Sequence, residues 1–265
     1  MRPIIGVSAS RVTNEDVDYD AARCRYLSAA YELAEGLPVI LPNFVRDDEA
    51  AANVLQILDG LILAGDRPEA AAERSGAVPR ANGTRLDPAR DLTAPSLLPS
   101  ALEAGIPILA IGRGLHELNL YLGGDLHEDL AAEGGFLRHH EDETPARDGR
   151  HHPRHDLHVT GGLLREIAGS DAITVNSLHR RGLRTVAPGL QVQGKAPDGL
   201  VEAVSVLDAT AFALGVQWHP EWCAHGDEVS RSIFRAFGAA CRKHRFRSRE
   251  RIEPLGPLPR YLKVR

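Results

Sequence analysis

The sequence predicts an α/β fold, a mainly parallel sheet with helices on both faces. Short apolar runs alternate with segments of helical pattern along most of the chain, as strands joined by crossover helices do. Ile108-Leu109-Ala110-Ile111-Gly112-Arg113-Gly114-Leu115-His116-Glu117-Leu118 reads as a buried strand, a tight turn with glycine at its tip, and an amphipathic helix. Far downstream, Gly215-Val216-Gln217-Trp218-His219-Pro220-Glu221 is a strand that runs straight into a His-x-Glu pair.

Taken in order, Pro3-Ile4-Ile5-Gly6-Val7 is the first strand, and Tyr19 to Glu35 the first helix, ending before Gly36. Leu37-Pro38-Val39-Ile40-Leu41-Pro42 is a short second strand. Asp47 to Leu58 is the next helix, with acidic residues near its start. Asp59-Gly60-Leu61-Ile62-Leu63-Ala64 forms a central strand that ends at Gly65-Asp66, and Arg67 to Leu86 reads as a long loop. Arg90 to Glu103 is helical, with Pro95 and Pro99 expected to shorten or kink it. The turn at Gly112 follows, and its helix stops at Gly123-Gly124. Phe136 to His158 is polar and carries six of the twelve histidines. Ile173 to Trp218 holds hairpin-like short strands with turns at Pro188-Gly189 and Pro197-Asp198-Gly199. Asp227 to Cys241 is a closing helix.

At 265 residues the chain suits one α/β domain with a full core, and 43% hydrophobic with 25% charged residues is the balance of a water-soluble globular protein. No apolar run approaches the ~20 residues that cross a bilayer, and Met1 to Val7 leads into a strand rather than reading as a secretory leader. Cys24, Cys223 and Cys241 give neither a disulfide framework nor a metal pattern. A cytoplasmic location is the expectation. The net charge of −5 conceals an asymmetry, because Arg242 to Arg265 carries nine Lys/Arg against two Glu. The division is therefore a domain over residues 1–241 and a basic tail over 242–265. The tail reads as a solvated extension. Phe246 and Tyr261 are its only aromatics, so nucleic acid is not expected as a partner, nor is a membrane.

Several motifs in order carry a family resemblance: the Gly112 turn, Gly123-Gly124-Asp125-Leu126-His127, Val175-Asn176-Ser177-Leu178-His179-Arg180, Ala196-Pro197-Asp198-Gly199, Val201-Glu202-Ala203 and the Val216 to Trp222 run. In order and spacing they resemble the γ-glutamyl-γ-aminobutyrate hydrolases, the C26-type peptidases of the class I glutamine amidotransferase group. The resemblance covers roughly residues 3 to 241. It implies a flavodoxin-like doubly wound sheet whose ligands bind at the carboxyl ends of the strands. It also implies a thiol nucleophile at the turn, with a histidine activating it and a carboxylate orienting the imidazole.

Carried over position by position, the resemblance makes His219 the general base, Glu221 its orienter and the Arg113 amide an oxyanion donor. The nucleophile position is Gly112, which has no nucleophilic atom, although glycine keeps a strained turn feasible. A second oxyanion donor would come from Gly65-Asp66, where the family has a glycine pair. A carboxylate at Asp66 opposes a developing oxyanion. His116 stands where a glutamine is common, and Asn176, Ser177 and His179 fall on a substrate-side strand and turn. Departures thus gather at the reaction centre while the rest stays on pattern, as in natural loss or change of function.

Two functions follow. One is an impaired pseudo-hydrolase that binds a γ-glutamyl amide or glutamine-like ligand, or docks on a partner such as a γ-glutamyl ligase or a second copy of itself. The other is a hydrolase of γ-glutamyl amides in which His219 activates a water. No cofactor is expected. The histidines at 139, 140, 151, 152, 155 and 158 are irregularly spaced, without a completing Cys or paired carboxylate, and read as a solvated loop rather than a zinc site. Cys223, close after the His-Pro-Glu run, would need the helix-terminus setting of the elbow to serve as a displaced nucleophile. Cys24 and Cys241 read as helix-packing residues.

Overall fold

A computed structural model describes residues 1–65, 87–140, 152–223 and 226–249. Among them, strands β1 (Ile4–Ser8), β4 (Leu37–Leu41), β5 (Gly60–Leu63), β6 (Ile108–Ile111) and β13 (Ala213–Val216) form the parallel half of one sheet, in the order β4-β1-β5-β6-β13. Beyond β13 the pairing turns antiparallel through β12 (Val201–Val206), β11 (Leu190–Lys195), β8 (His155–Val159) and β9 (Ala172–Val175). β10 (Gly182–Thr185) pairs with β12 and with β7 (Asp125–His127).

The period-2 alternation of each strand sends its residues to opposite faces. Leu109 and Ile111 join Ile5, Val7 and Ile62 in one core, against Tyr26 of α1 (Cys24–Glu32) and Phe234 and Phe237 of the closing helix. Ile108 and Ala110 join Leu61 and Leu63 in the other core. That one packs against α2 (Asp48–Leu55), α3 (Pro88–Glu103) and α4 (Arg113–Tyr121). Both faces are covered, as the fold class requires. Two single-turn helices, α5 (Leu130–Glu133) and α7 (Pro220–Cys223), and the short α6 (Gly162–Ala168) complete the set before α8 (Glu228–Arg249). No helix among the described residues is long and apolar enough to cross a membrane.

Four local expectations change. The first helix begins at Cys24 rather than Tyr19, because β2 (Ser10–Asn14) and β3 (Val17–Ala21) make a two-stranded hairpin. Its turn residues, Glu15 and Asp16, both have positive φ, the conformation of a two-residue hairpin loop, and the Arg11–Asp20 ion pair spans the ladder at 2.8 Å. Pro95 and Pro99 do not interrupt α3. Pro88 occupies its first turn, Asp87 caps it by accepting from the Arg90 N–H, and the Leu97, Leu98 and Ala101 face is fully buried. Packing of that face outweighs the two missing donors. The closing helix continues past Cys241 to Arg249, since Arg245 pairs with buried Asp59 at 2.6 Å and His244 bonds the Gly105 carbonyl at 3.0 Å. Finally, Cys24 is exposed rather than packed, while Cys241 is buried beneath Gly60, where desolvation pushes its thiol far up.

Candidate functional site

Three parallel strands deliver the site at their carboxyl ends. Gly65 follows β5, Gly112 follows β6, and His219 follows β13, the neighbour of β6 in register Val216 to Ile111. The Gly112 N–H donates to the Val216 carbonyl at 2.8 Å, fixing the turn against the strand that carries the histidine.

Gly112 has φ 55° and ψ −109°, and it caps α4. This is backbone that side chains rarely adopt, found where a strand enters a helix through a sharp elbow. A Cβ built on Gly112 would stand 3.3 Å from His219 Cε1 and 3.5 Å from Nε2. Gly114, the second residue of the helix, presses on the Leu63 carbonyl so closely that a Cβ would meet it at 2.2 Å, so only glycine fits there. Arg113 is the first residue of α4, where amides point out of the helix end and its dipole favours negative charge.

His219 is buried and its Nδ1 lies 2.8 Å from Glu221 Oε1. With its Nδ1–H donating to that carboxylate, Nε2 is left as the acceptor nitrogen, facing the elbow. Asn176 clamps the backbone of the same residue from both sides, accepting its N–H at 2.9 Å and donating to its carbonyl at 2.9 Å. Tyr26 closes the rear of the site. Its hydroxyl accepts the Gly65 N–H at 2.9 Å and lies 3.4 Å from His219 Nδ1. Burial, and then the charge of Glu221, push the phenol well above its ordinary range, so it stays protonated.

The elbow is held from beneath by an ionic hub. Arg90, fully buried, reaches Glu117 through Nε at 2.8 Å and Nη2 at 3.1 Å, Ser10 Oγ at 3.0 Å, and the Ala64 carbonyl. Arg113 joins the same carboxylate at 3.0 Å and extends to Asp91 at 2.6 Å. The hub ties α3, α4 and the end of β5 together one residue before Gly65.

The remaining candidates fall elsewhere or do other things. His116 is engaged by Gln217, its Nε2 lying 2.8 Å from Oε1. Desolvation lowers its pKa to about 3, so it is a neutral donor that holds β13 to α4. Ser177 and His179 enter a separate buried polar cluster around Glu202 of β12. There Ser177 Oγ donates to the His139 carbonyl at 3.1 Å, and His179 Nε2 lies 3.2 Å from Glu202. The histidine-rich segment is therefore not a uniformly solvated loop, because His139 is buried in that cluster and His155 begins β8. Asp66, with the opposing carboxylate expected there, and Arg67 lie outside the described residues. So do residues 141–151, residues 250–265 and the Cys223 side chain.

Several site residues had little or no signal in the sequence reading. Tyr26 and Arg90 sit in ordinary helices, and only the fold brings them to the strand ends. Glu202 carried one, since a carboxylate between Val201 and Ala203 in an apolar strand needs buried partners.

Comparison with known proteins agrees with this geometry. The Peptidase C26 family model matches residues 3–221. The γ-glutamyl-γ-aminobutyrate hydrolase of Escherichia coli O157:H7 is 40% identical over 246 residues, covering 91% of this chain and 94% of that protein. The hydrolase PuuD of Escherichia coli strain K12 is 39% identical over the same length and shares. Among solved structures, the glutaminase domain of Trypanosoma brucei CTPS with bound acivicin superposes with a TM-score of 0.63 at 14% identity, over 91% of this chain and 94% of that one, a likeness of fold. With the doubly covered sheet and the elbow facing a His–Glu pair, the chain belongs to the Peptidase C26 family, with a glutamine amidotransferase-like fold.

Proposed function

We propose that this chain is a cytoplasmic C26-family protein that binds γ-glutamyl amides or glutamine-like ligands but lacks thiol hydrolysis. The carrying observation is Gly112, a residue without a side chain at the elbow, facing His219 at side-chain distance. The resemblance puts the nucleophilic cysteine there. His219, Glu221, Asn176 and Tyr26 are arranged as a base with its orienting groups, and a base with no thiol to activate cannot open the covalent route.

Binding alone needs none of that chemistry. A planar amide carbonyl at the elbow would meet the amides at the start of α4, while His219 Nε2 accepts a hydrogen bond from the amide N–H. A protein of this kind can report on γ-glutamyl amides or deliver them to a γ-glutamyl ligase. The test is calorimetric titration of the full chain with γ-glutamyl-γ-aminobutyrate, run beside an assay for released glutamate. Saturable binding without release supports the reading, and enzyme-like release overturns it. Release lost in His219→Ala would favour water activated by His219.

A further inference from the structure

Apart from the elbow, the molecule holds a second buried polar centre. Glu202, with a side chain at 0% exposure, receives histidines from three different segments. His139 Nδ1 approaches Oε1 at 3.2 Å, His179 Nε2 approaches Oε1 at 3.2 Å, and His155 Nε2 approaches Oε2 at 3.2 Å.

The outer nitrogens of two of these rings are also engaged. His179 Nδ1 lies 2.8 Å from the Arg181 carbonyl, an acceptor only, so its proton resides there. His139 Nε2 lies 2.8 Å from Asp198 Oδ2, and that carboxylate is fixed in turn by the amides of Leu137 (2.8 Å) and Leu200 (3.1 Å). The inner nitrogens, Nδ1 of His139 and Nε2 of His179, converge on the same carboxylate oxygen, and His139 Nδ1 also lies 3.1 Å from Ser177 Oγ.

Metal sites have this arrangement, because a ligating imidazole hands its other N–H to a carboxylate or backbone carbonyl. Zinc bonds of about 2.0–2.2 Å in a tetrahedral shell set ligand atoms roughly 3.3 Å apart; the two histidine nitrogens each lie 3.2 Å from Glu202 Oε1, and the three ligand atoms all fall within 4.8 Å of one another. Two imidazoles and one carboxylate form a borderline donor set of the kind zinc takes.

We propose that His139 Nδ1, His179 Nε2 and Glu202 bind one divalent cation of the zinc class, at a site separate from the elbow. The ion would clip together the segment after α5, the β9–β10 connection and β12. That connection also carries Asn176, which clamps His219, so the clip would stiffen one wall of the elbow site without entering its chemistry.

The test uses the full chain, stripped with chelator and titrated with Zn²⁺ against a chromophoric chelator, then with Co²⁺ followed by visible absorption. The expected result is one tight equivalent per chain, with the intense bands of four-coordinate Co²⁺. Asp198→Asn, which removes the carboxylate charge from the outer partner of His139, should weaken binding by about 10- to 100-fold. His179→Ala should abolish the Co²⁺ bands, and His158→Ala, on the exposed side of β8, should change neither. Absence of a tight equivalent in the natively folded chain overturns the proposal, as does affinity in Asp198→Asn equal to that of the unaltered protein. Should His179→Ala fail to fold, these two measurements still decide the question.

Discussion

His219 and Gly112 face each other across the elbow closely enough that a single added carbon on the glycine would touch the imidazole. The would-be Cβ lies 3.3 Å from Cε1, tighter than most side-chain contacts, so a residue there must displace the ring by a few tenths of an ångström. Glu221 and Asn176 hold the tautomer and backbone of His219.

Gly65 is the second residue whose lack of a side chain shapes the site. A Cβ there would meet His219 Cε1 and the Tyr26 hydroxyl, each at 2.7 Å, and both groups are buried and pinned. Gly65→Ala should destabilise the fold by about 1–3 kcal/mol through overpacking. It should also weaken binding of γ-glutamyl amides. Denaturant unfolding with calorimetry checks both, and an unchanged midpoint with unchanged affinity would show that the site is looser than described.

Arg90 and Glu117 are a buried ion pair with side chains 1% and 8% exposed. Glu117 keeps Arg113 if Arg90 is removed, whereas removing Glu117 strands the buried Arg90 charge, so Glu117→Ala should cost about 3–5 kcal/mol. The pair replacement Arg90→Met with Glu117→Gln should cost much less than the sum of its single changes. Urea unfolding of the four proteins in the cycle measures the coupling, and additive losses would exclude the hub.

Acid sensitivity follows from His116. Its folded-state pKa of about 3 lies below the ordinary histidine value, so the unfolded chain binds the proton more readily. Stability should therefore fall as pH drops below about 6.5, by up to about 1.4 kcal/mol per pH unit from this group until its folded pKa is reached. His116→Gln removes the titration. The stability difference between variant and parent should move toward the variant across that window. Parallel pH curves would contradict the assignment.

The parts of this architecture legible in the sequence were those fixed by local pattern. The strands on the parallel side are short apolar runs because both faces are covered, and the elbow was visible because glycine stands between a buried strand and a helix. The β2–β3 hairpin was hidden, since Arg11, Thr13, Asp18 and Asp20 pair by charge and hydrogen bonding rather than by apolar alternation. The run of α3 through two prolines depended on tertiary packing, which propensity does not contain. The grouping of His139, His155, His179 and Asp198 about Glu202 needed four segments, 63 residues apart at the extremes, to converge. Irregular spacing gave no hint of it.

The most direct measurement is glutamate release from γ-glutamyl-γ-aminobutyrate by the chain as it stands, by Gly112→Cys, and by Gly112→Cys combined with His219→Ala. The expected result is background release by the first and a gain of about 100-fold or more in the second, returning to background in the third. Enzyme-like turnover by the chain as it stands, lost when only His219 is changed, would contradict the central claim and assign the reaction to a water activated by that histidine.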